Sequence, residues 1–516
     1  MTDVLPRLLR LQPGSRSMTD ILRGLFASDS VSRHFDDDAL LEAMARVEAG
    51  LAAALADVGL APRAAADRIA AVCARVGARG RDTVRARATA SDAAPSDAAP
   101  SDPAPFDPAP SDPAPFDPAP FDPAPFDPGA LASAGRRAGT LAIPFVRALT
   151  HAVAREDADA ARWVHVGATS QDVADTALAL AAAAAGAELQ AQIGRAGDRL
   201  AALADAHRAT PMAGRTLLQP ATPVTFGWKA ACWLSPLPRL REGLAHALEA
   251  ARVLQFGGAA GTRAALAGRG DAVAAALAGR LGLADPGISW HGSRDRIARL
   301  GAELALVAGA MARIGRDLSL LMQGEVAEAF EPTGDGRGGS SAMPHKRNPV
   351  SAMLALQAGL RAPGLAATLL AQQAGEHERG LGTWQADWWT LGALYECAGS
   401  AAEAIGEALA GLRVEPAAMA DNLARTRGFV FAEAVTVELA ATLGRPAAHA
   451  VVERICADAL DHGRTFAQAL DDAARADPAL AAALPDDARA RLFDPLRQLG
   501  DAGAMIDRTL REWAAA

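Results

Sequence analysis

Residues 173–208, 227–254, 294–330 and 350–376 carry apolar side chains at three- and four-residue spacing, with no strand-like run between them. Several of these stretches exceed twenty residues, and helices of that length bury their apolar stripes by lying side by side. This feature narrows the chain to an all-α bundle and excludes an α/β sheet. Half of the residues are hydrophobic but only 4% are aromatic, so the apolar mass is Ala, Leu and Val, set among Arg and Glu at helical spacing. The expectation is three helical domains: an N-terminal one over 1–172, a central long-helix bundle over 173–412 and a smaller one over 413–516.

A further helix is expected over residues 35–57, before an unusual segment. From Ser91 to Pro128 the sequence cycles with a five-residue period, as SDAAP, SDPAP and FDPAP. Proline at that frequency removes backbone donors and blocks helix, so an extended, disordered excursion with no catalytic role is expected. A net charge of -9 leaves no electrostatic footprint for nucleic acid. The start of the chain lacks a secretory pattern, and the run Leu178 to Leu189 is too short to cross a bilayer. Four scattered cysteines, Cys73, Cys232, Cys397 and Cys456, form no CxxC pair and point to a reduced cytoplasm without a zinc site.

The densest chemistry lies in GSSAMPHKRNP, residues 339–349. Glycines precede it and allow movement, while Pro344 and Pro349 restrict the backbone where polar groups must be aimed. Hydroxyls Ser340 and Ser341 beside Lys346, Arg347 and Asn348 suit an anionic substrate and a transition state that builds negative charge. Only two of the 51 cations in the chain are lysines, Lys229 and Lys346. A compact ammonium fits against a single carboxylate oxygen where a guanidinium fork does not.

Two more segments fit this picture. In WVHVGATSQDVADTA, Thr169, Ser170, Gln171 and Asp172 stand at a helix start, where an ordinary N-cap would explain one of them. His165 and three consecutive polar side chains exceed what a cap requires, and hydroxyls with free amides there form a carboxylate cradle. In TPMAGRTLLQPATPVTFGWK, Thr216 and Gln219 are expected in a proline-bounded loop, before a helix starting near Thr225.

The 339–349 run resembles the signature loop of the fumarase/aspartase superfamily, and the His165 segment resembles its first motif. The resemblance implies a loop serine that closes over a carboxylate substrate, no cofactor and no metal. It also implies a tetramer in which three subunits complete each site. The chain departs from the superfamily pattern in two linked places: a general-base histidine is replaced by Leu217 and its usual glutamate partner by Met353. In EHERGLGTWQADWW the opening resembles adenylosuccinate lyases, but Trp384 and Trp388 stand where phosphate-holding residues would be. With FGGAAGT (Phe256 to Thr262) and WHxxRDR (Trp290 to Arg296), these departures resemble the bacterial 3-carboxy-cis,cis-muconate cycloisomerases of protocatechuate catabolism. The implied reaction is attack of a substrate carboxylate on a double bond, through an aci-carboxylate, with no need for an enzyme base.

The expected catalytic groups are Ser340, His165 and Lys346. Thr169, Ser170, Gln171, Thr216, Gln219, Ser341, Met343, Arg347 and Asn348 are expected around a tricarboxylate. Two alternatives remain at this stage: an adenylosuccinate or argininosuccinate type of lyase, and a non-catalytic relative.

Overall fold

The computed structural model describes residues 24–76, 126–334, 337–339, 342–343 and 345–516. Helices α1 (Asp37–Asp57), α2 (Arg63–Cys73), α3 (Pro128–Ala138) and α4 (Ala142–Ala154) form a first core. The central bundle comprises α5 (Ser170–Ala206), α6 (Phe226–Leu234), α7 (Leu237–Ala251), α9 (Asp295–Leu321), α10 (Val350–Ala371) and α11 (Gln385–Ala410). Helix α8 (Gly270–Leu281) joins the first core, and α12 (Pro416–Arg425) leads into the C-terminal region. There α13 (Ala432–Leu443), α14 (Arg445–Asp461) and α15 (Phe466–Ala476) surround a third core.

Packing crosses the expected boundaries at 172 and 412. Val173, Ala177 and Leu180 of α5, with Leu254, Phe256 and Leu266, belong to the first core. The last helix, α16 (Ala502–Ala514), returns to the bundle: Trp513 lies against Gly197 and donates from Nε1 to Asp198 (2.9 Å). Most of the five-residue repeat lies outside the described residues. Its final unit docks: the Phe126 ring packs at a tilt of 49° against Phe145, 5.6 Å between centroids, and the Asp127 carboxylate caps α3 by accepting from Ala130 N (2.7 Å).

Three expected helices are shorter than their apolar pattern, the 350–376 stretch ending at Ala371. The 227–254 stretch is divided between α6 and α7, where Pro236 and Pro238 withhold the amide hydrogens a continuous helix needs. The 294–330 stretch stops at Leu321, and Ala329–Phe330 (β3) pairs with Arg413–Val414 (β4). The expected loop around Thr216 is a β-hairpin of β1 (Pro211–Thr216) and β2 (Gln219–Thr225), and α6 follows it with Thr225 as its N-cap. An isolated two-stranded ribbon tolerates Pro211, Pro220 and Pro223 because its edges need no further partner.

The directions of the helices decide what the bundle can bring together. Gly301, near the start of α9, lies against Leu369, near the end of α10, while Gly315 lies against Ala352 at the opposite end. Helices α9 and α10 are therefore antiparallel. Arg294, just before α9, reaches Asp175 in the first turns of α5 and Asp387 in the first turn of α11. Helices α5, α9 and α11 thus start at one end of the bundle, and α10 starts at the other.

Candidate active site

The end where α5 begins is built inward from one carboxylate. Asp172 is 1% exposed and accepts from Thr169 N (3.0 Å), Gly257 N (2.9 Å) and Gly258 N (2.9 Å), with His291 Nε2 at 2.7 Å. This explains why FGGAAGT and WHxxRDR accompany the first motif: both hold its helix start in place. Gly258 comes so close that a Cβ there would lie 3.0 Å from the Gly167 carbonyl, and its φ of +69° also favours glycine.

Below this lies a buried ion network. Arg294 donates to Asp175 through both terminal nitrogens (2.7 and 3.0 Å) and to Asp387 through Nε (2.9 Å). Two carboxylates share one guanidinium. Burial pushes the Asp387 carboxyl up to about 6 against the pull of Arg294, and Asp175 adds to the rise.

Above it, facing outward, stand His165, Thr169 and Ser170, each partly exposed. The Thr169 hydroxyl accepts from Arg379 (2.6 Å), so the EHER segment folds over the α5 start. His165 adopts φ +62°, and its Nδ1 lies 2.6 Å from Glu48 Oε1. Burial works against protonating this ring, but Glu48 and then Asp172 outweigh it, so the His165 pKa lies above its ordinary value. Gln171 does not join them. It is 0% exposed and donates inward to Asp175 (3.1 Å) and the His291 carbonyl (3.0 Å), because its place on α5 points into the bundle.

The opposite end carries the remaining expected residues. Ser340 and Ser341 lie outside the described residues. Lys346 and Arg347 are exposed, Met343 is 43% exposed, and Asn348 is partly buried, donating from its amide N to the Gly338 carbonyl (2.9 Å). Glu331 caps α10 by accepting from Ser351 N (2.9 Å) and Ala352 N (2.8 Å), which fixes where the loop re-enters the bundle. Arg215 in β1 pairs with Glu328 (2.7 Å) just before β3, so Thr216 and Gln219, both exposed, belong to this same end. The hairpin tip is Leu217 and Leu218, 97% and 75% exposed, with φ of +50° and +66°. Met353 is 49% exposed in the first turn of α10, and Lys229 sits half-buried in α6.

Within one chain these groups do not meet. Helix α10 spans 22 residues, which at 1.5 Å per residue separates its ends by about 33 Å. His165, Thr169 and Ser170 are at one end; Thr216, Gln219, Lys346, Arg347 and Asn348 are at the other.

Three contributors were missed in the sequence: Glu48, Arg379 as a partner of Thr169, and the Arg294 network. Glu48 had a visible signal, being a carboxylate on the apolar stripe of α1 between Met44 and Leu51. Trp384 and Trp388 meet edge to face at 4.8 Å. Trp388 also lines a small cavity of about 130 Å³ with Leu40, Met44 and Leu178, beside His34 and Glu396.

A 3-carboxy-cis,cis-muconate cycloisomerase of Pseudomonas aeruginosa is 49% identical over 74% of this chain and 83% of that protein. This chain belongs to the 3-carboxy-cis,cis-muconate cycloisomerase family. The relative from Acinetobacter baylyi is 36% identical over 96% of this chain and 99% of its own length. The crystal structure of the 3-carboxy-cis,cis-muconate lactonizing enzyme from Pseudomonas putida superposes with a TM-score of 0.81, at 37% identity over 96% of this chain and 99% of that one. The lyase family profile matches residues 137–364, and that of the adenylosuccinate lyase C-terminus matches 428–509. The cycloisomerase family and the fumarase/aspartase superfamily around it account for the all-α architecture.

Proposed function

We propose that this chain closes 3-carboxy-cis,cis-muconate to a carboxymuconolactone, in the protocatechuate branch of the β-ketoadipate pathway. The observation that carries the reading is the hairpin tip: Leu217, at a position where the superfamily resemblance expects a base, offers only an apolar side chain. Ring closure needs none, since the substrate carboxylate is itself the nucleophile. It forms the C–O bond, the π pair moves onto the carbon next to another carboxylate, and the resulting aci-carboxylate needs cations and donors around it. Lys346 and Asn348 fill that role, with Thr169, Ser170 and Gln219 holding the other carboxylates. The carbanion then takes a proton, from Ser340 on the loop or from His165.

Because the two residue groups lie at opposite ends of the bundle, each active site combines ends from different copies, in a homotetramer. Helix α10 supports this assembly: it is apolar enough to resemble a membrane span, yet it packs between α9 and α11 and turns Met353, Leu360 and Leu370 outward. Sedimentation of the active species as a monomer would overturn the shared site.

The direct assay is loss of the ultraviolet absorbance of carboxymuconate on adding the protein, beside a test for fumarate release from adenylosuccinate. An unchanged muconate spectrum with fumarate released would make the chain a lyase. The variant Ser340→Ala is expected to lower turnover by roughly a hundredfold. Near-normal turnover would remove Ser340 from the mechanism.

A further inference from the structure

The first core contains a buried carboxylate, Glu48. Glu48 lies on α1 among Leu41, Met44, Ala45, Leu51, Ala52 and Leu55, on the buried face of the helix, and is 1% exposed. A carboxylate in such a place has to be paired. Both of its carboxylate oxygens meet one residue: His165 N donates to Oε2 (3.1 Å), and His165 Nδ1 lies 2.6 Å from Oε1. The same residue is held by backbone and ring together, in a left-handed conformation that a histidine seldom adopts. Three constraints on one imidazole fix its direction as well as its position.

We propose that Glu48 is a positioning residue for proton delivery: it occupies Nδ1–H of His165 and leaves Nε2–H as the bond presented to the substrate. The inference rests on reading this chain as a ring-closing enzyme with His165 as its acid. The substrate carboxylate forms the C–O bond while the C=C π pair moves to the adjacent carbon and its carboxylate. That carbon takes the proton from Nε2, the N–H bond breaks, and the imidazolium becomes a neutral imidazole that regains a proton from water. A trianionic substrate therefore gives a dianionic lactone with uptake of one proton per turnover. Throughout, Glu48 stays an acceptor.

Several charged or titratable groups stand around the pair. Asp172 of α5 acts on His165, the Cys73 thiol of α2 faces Glu48, and Arg379 approaches through Thr169. Of these, Glu48 is the one bonded to the ring. The sign follows: the acid is present while His165 is protonated, so activity falls as pH rises through its raised pKa. Removing the Glu48 charge lowers that pKa and moves the fall to lower pH.

The test is Glu48→Gln, which keeps the shape and removes the charge, read by pH profiles of kcat and by NMR titration of His165. The expected result is a basic limb displaced to lower pH, so that the variant loses roughly tenfold relative to the parent on the alkaline side of the profile and little on the acid side. A limb that stays in place while the folded variant titrates normally would overturn the role of Glu48. Should the variant not fold, the parent decides alone: ¹⁵N spectra must show Nδ1 of His165 protonated and its proton strongly downfield, and a ring carrying its proton on Nε2 alone would sink the proposal. The variant His165→Gln separates the two claims. Full activity there rejects His165 as the acid, whereas an inactive His165→Gln beside an unmoved Glu48→Gln limb rejects only the clamp.

Discussion

The two ends of the central bundle are built on different principles. Where α5, α9 and α11 begin, Asp172, Asp175, Arg294 and Asp387 are almost completely buried; Arg294 binds Asp175 and Asp387, and Asp172 is held by His291 and backbone amides. Where α10 begins, Lys346, Arg347, Thr216 and Gln219 are exposed, and the hairpin tip presents two leucines to solvent. The geometry of the first end is fixed by internal bonds. The second holds exposed cations and an exposed apolar tip. On the proposed reading, the acid and the cations stand at opposite ends of a bundle whose helix α10 is about 33 Å long, and copies of the chain must combine to complete a site.

The largest test strikes the finished end. Replacing Arg294 by Met leaves Asp175 and Asp387 buried without a cation and is expected to cost about 3–5 kcal/mol, measured by urea unfolding. A loss below about 1 kcal/mol would mean that this end is not held by its ion network. Next comes the open end: Lys346→Met should leave folding intact, since the side chain is exposed, yet lower turnover by roughly 10²–10³-fold. Refolding that variant together with an inactive His165→Gln chain sharpens the contrast. If each site draws its ends from different copies, about a quarter of the sites regain two intact halves, and no recovery at all would favour a site within one chain.

The smallest effect concerns pH. The Asp387 carboxyl is raised from its ordinary 3.8 to about 6, chiefly by burial, so the folded protein holds this proton more tightly than the unfolded chain. Its contribution to stability is present at low pH and is lost as pH rises from about 4 to about 6, a change of about 1–3 kcal/mol. Relative to the parent, Asp387→Asn should therefore gain stability progressively across that window in thermal unfolding scans. A difference independent of pH would show that Asp387 is ionised throughout.

Much of this was legible in the chain because it is written locally. Apolar spacing located the long helices, and the SQD run before Val173 marked the start of α5. The run 339–349 marked the cationic loop. The hairpin was not legible: Leu217 and Leu218 carry no glycine or asparagine, the usual signal for a turn with positive φ. Gln171 looked equal to its neighbours Thr169 and Ser170, and only the rotation of α5 decides that it faces inward. Glu48 and His165 are 117 residues apart, so their pairing belongs to tertiary structure, although the carboxylate on an apolar stripe pointed to a partner. The split between the two ends was hidden for the same reason, since helix direction is set by connections and not by motifs.

The common orientation of α5, α9 and α11 has an electrostatic consequence of its own. Their peptide dipoles point the same way and add, each leaving about half a positive charge at its first turn. An anion approaching His165 and Thr169 meets that background before any side chain moves. It is carried by the backbone, so replacing a single residue at this end alters the local bonds while the attraction persists, weakening only as added salt screens it.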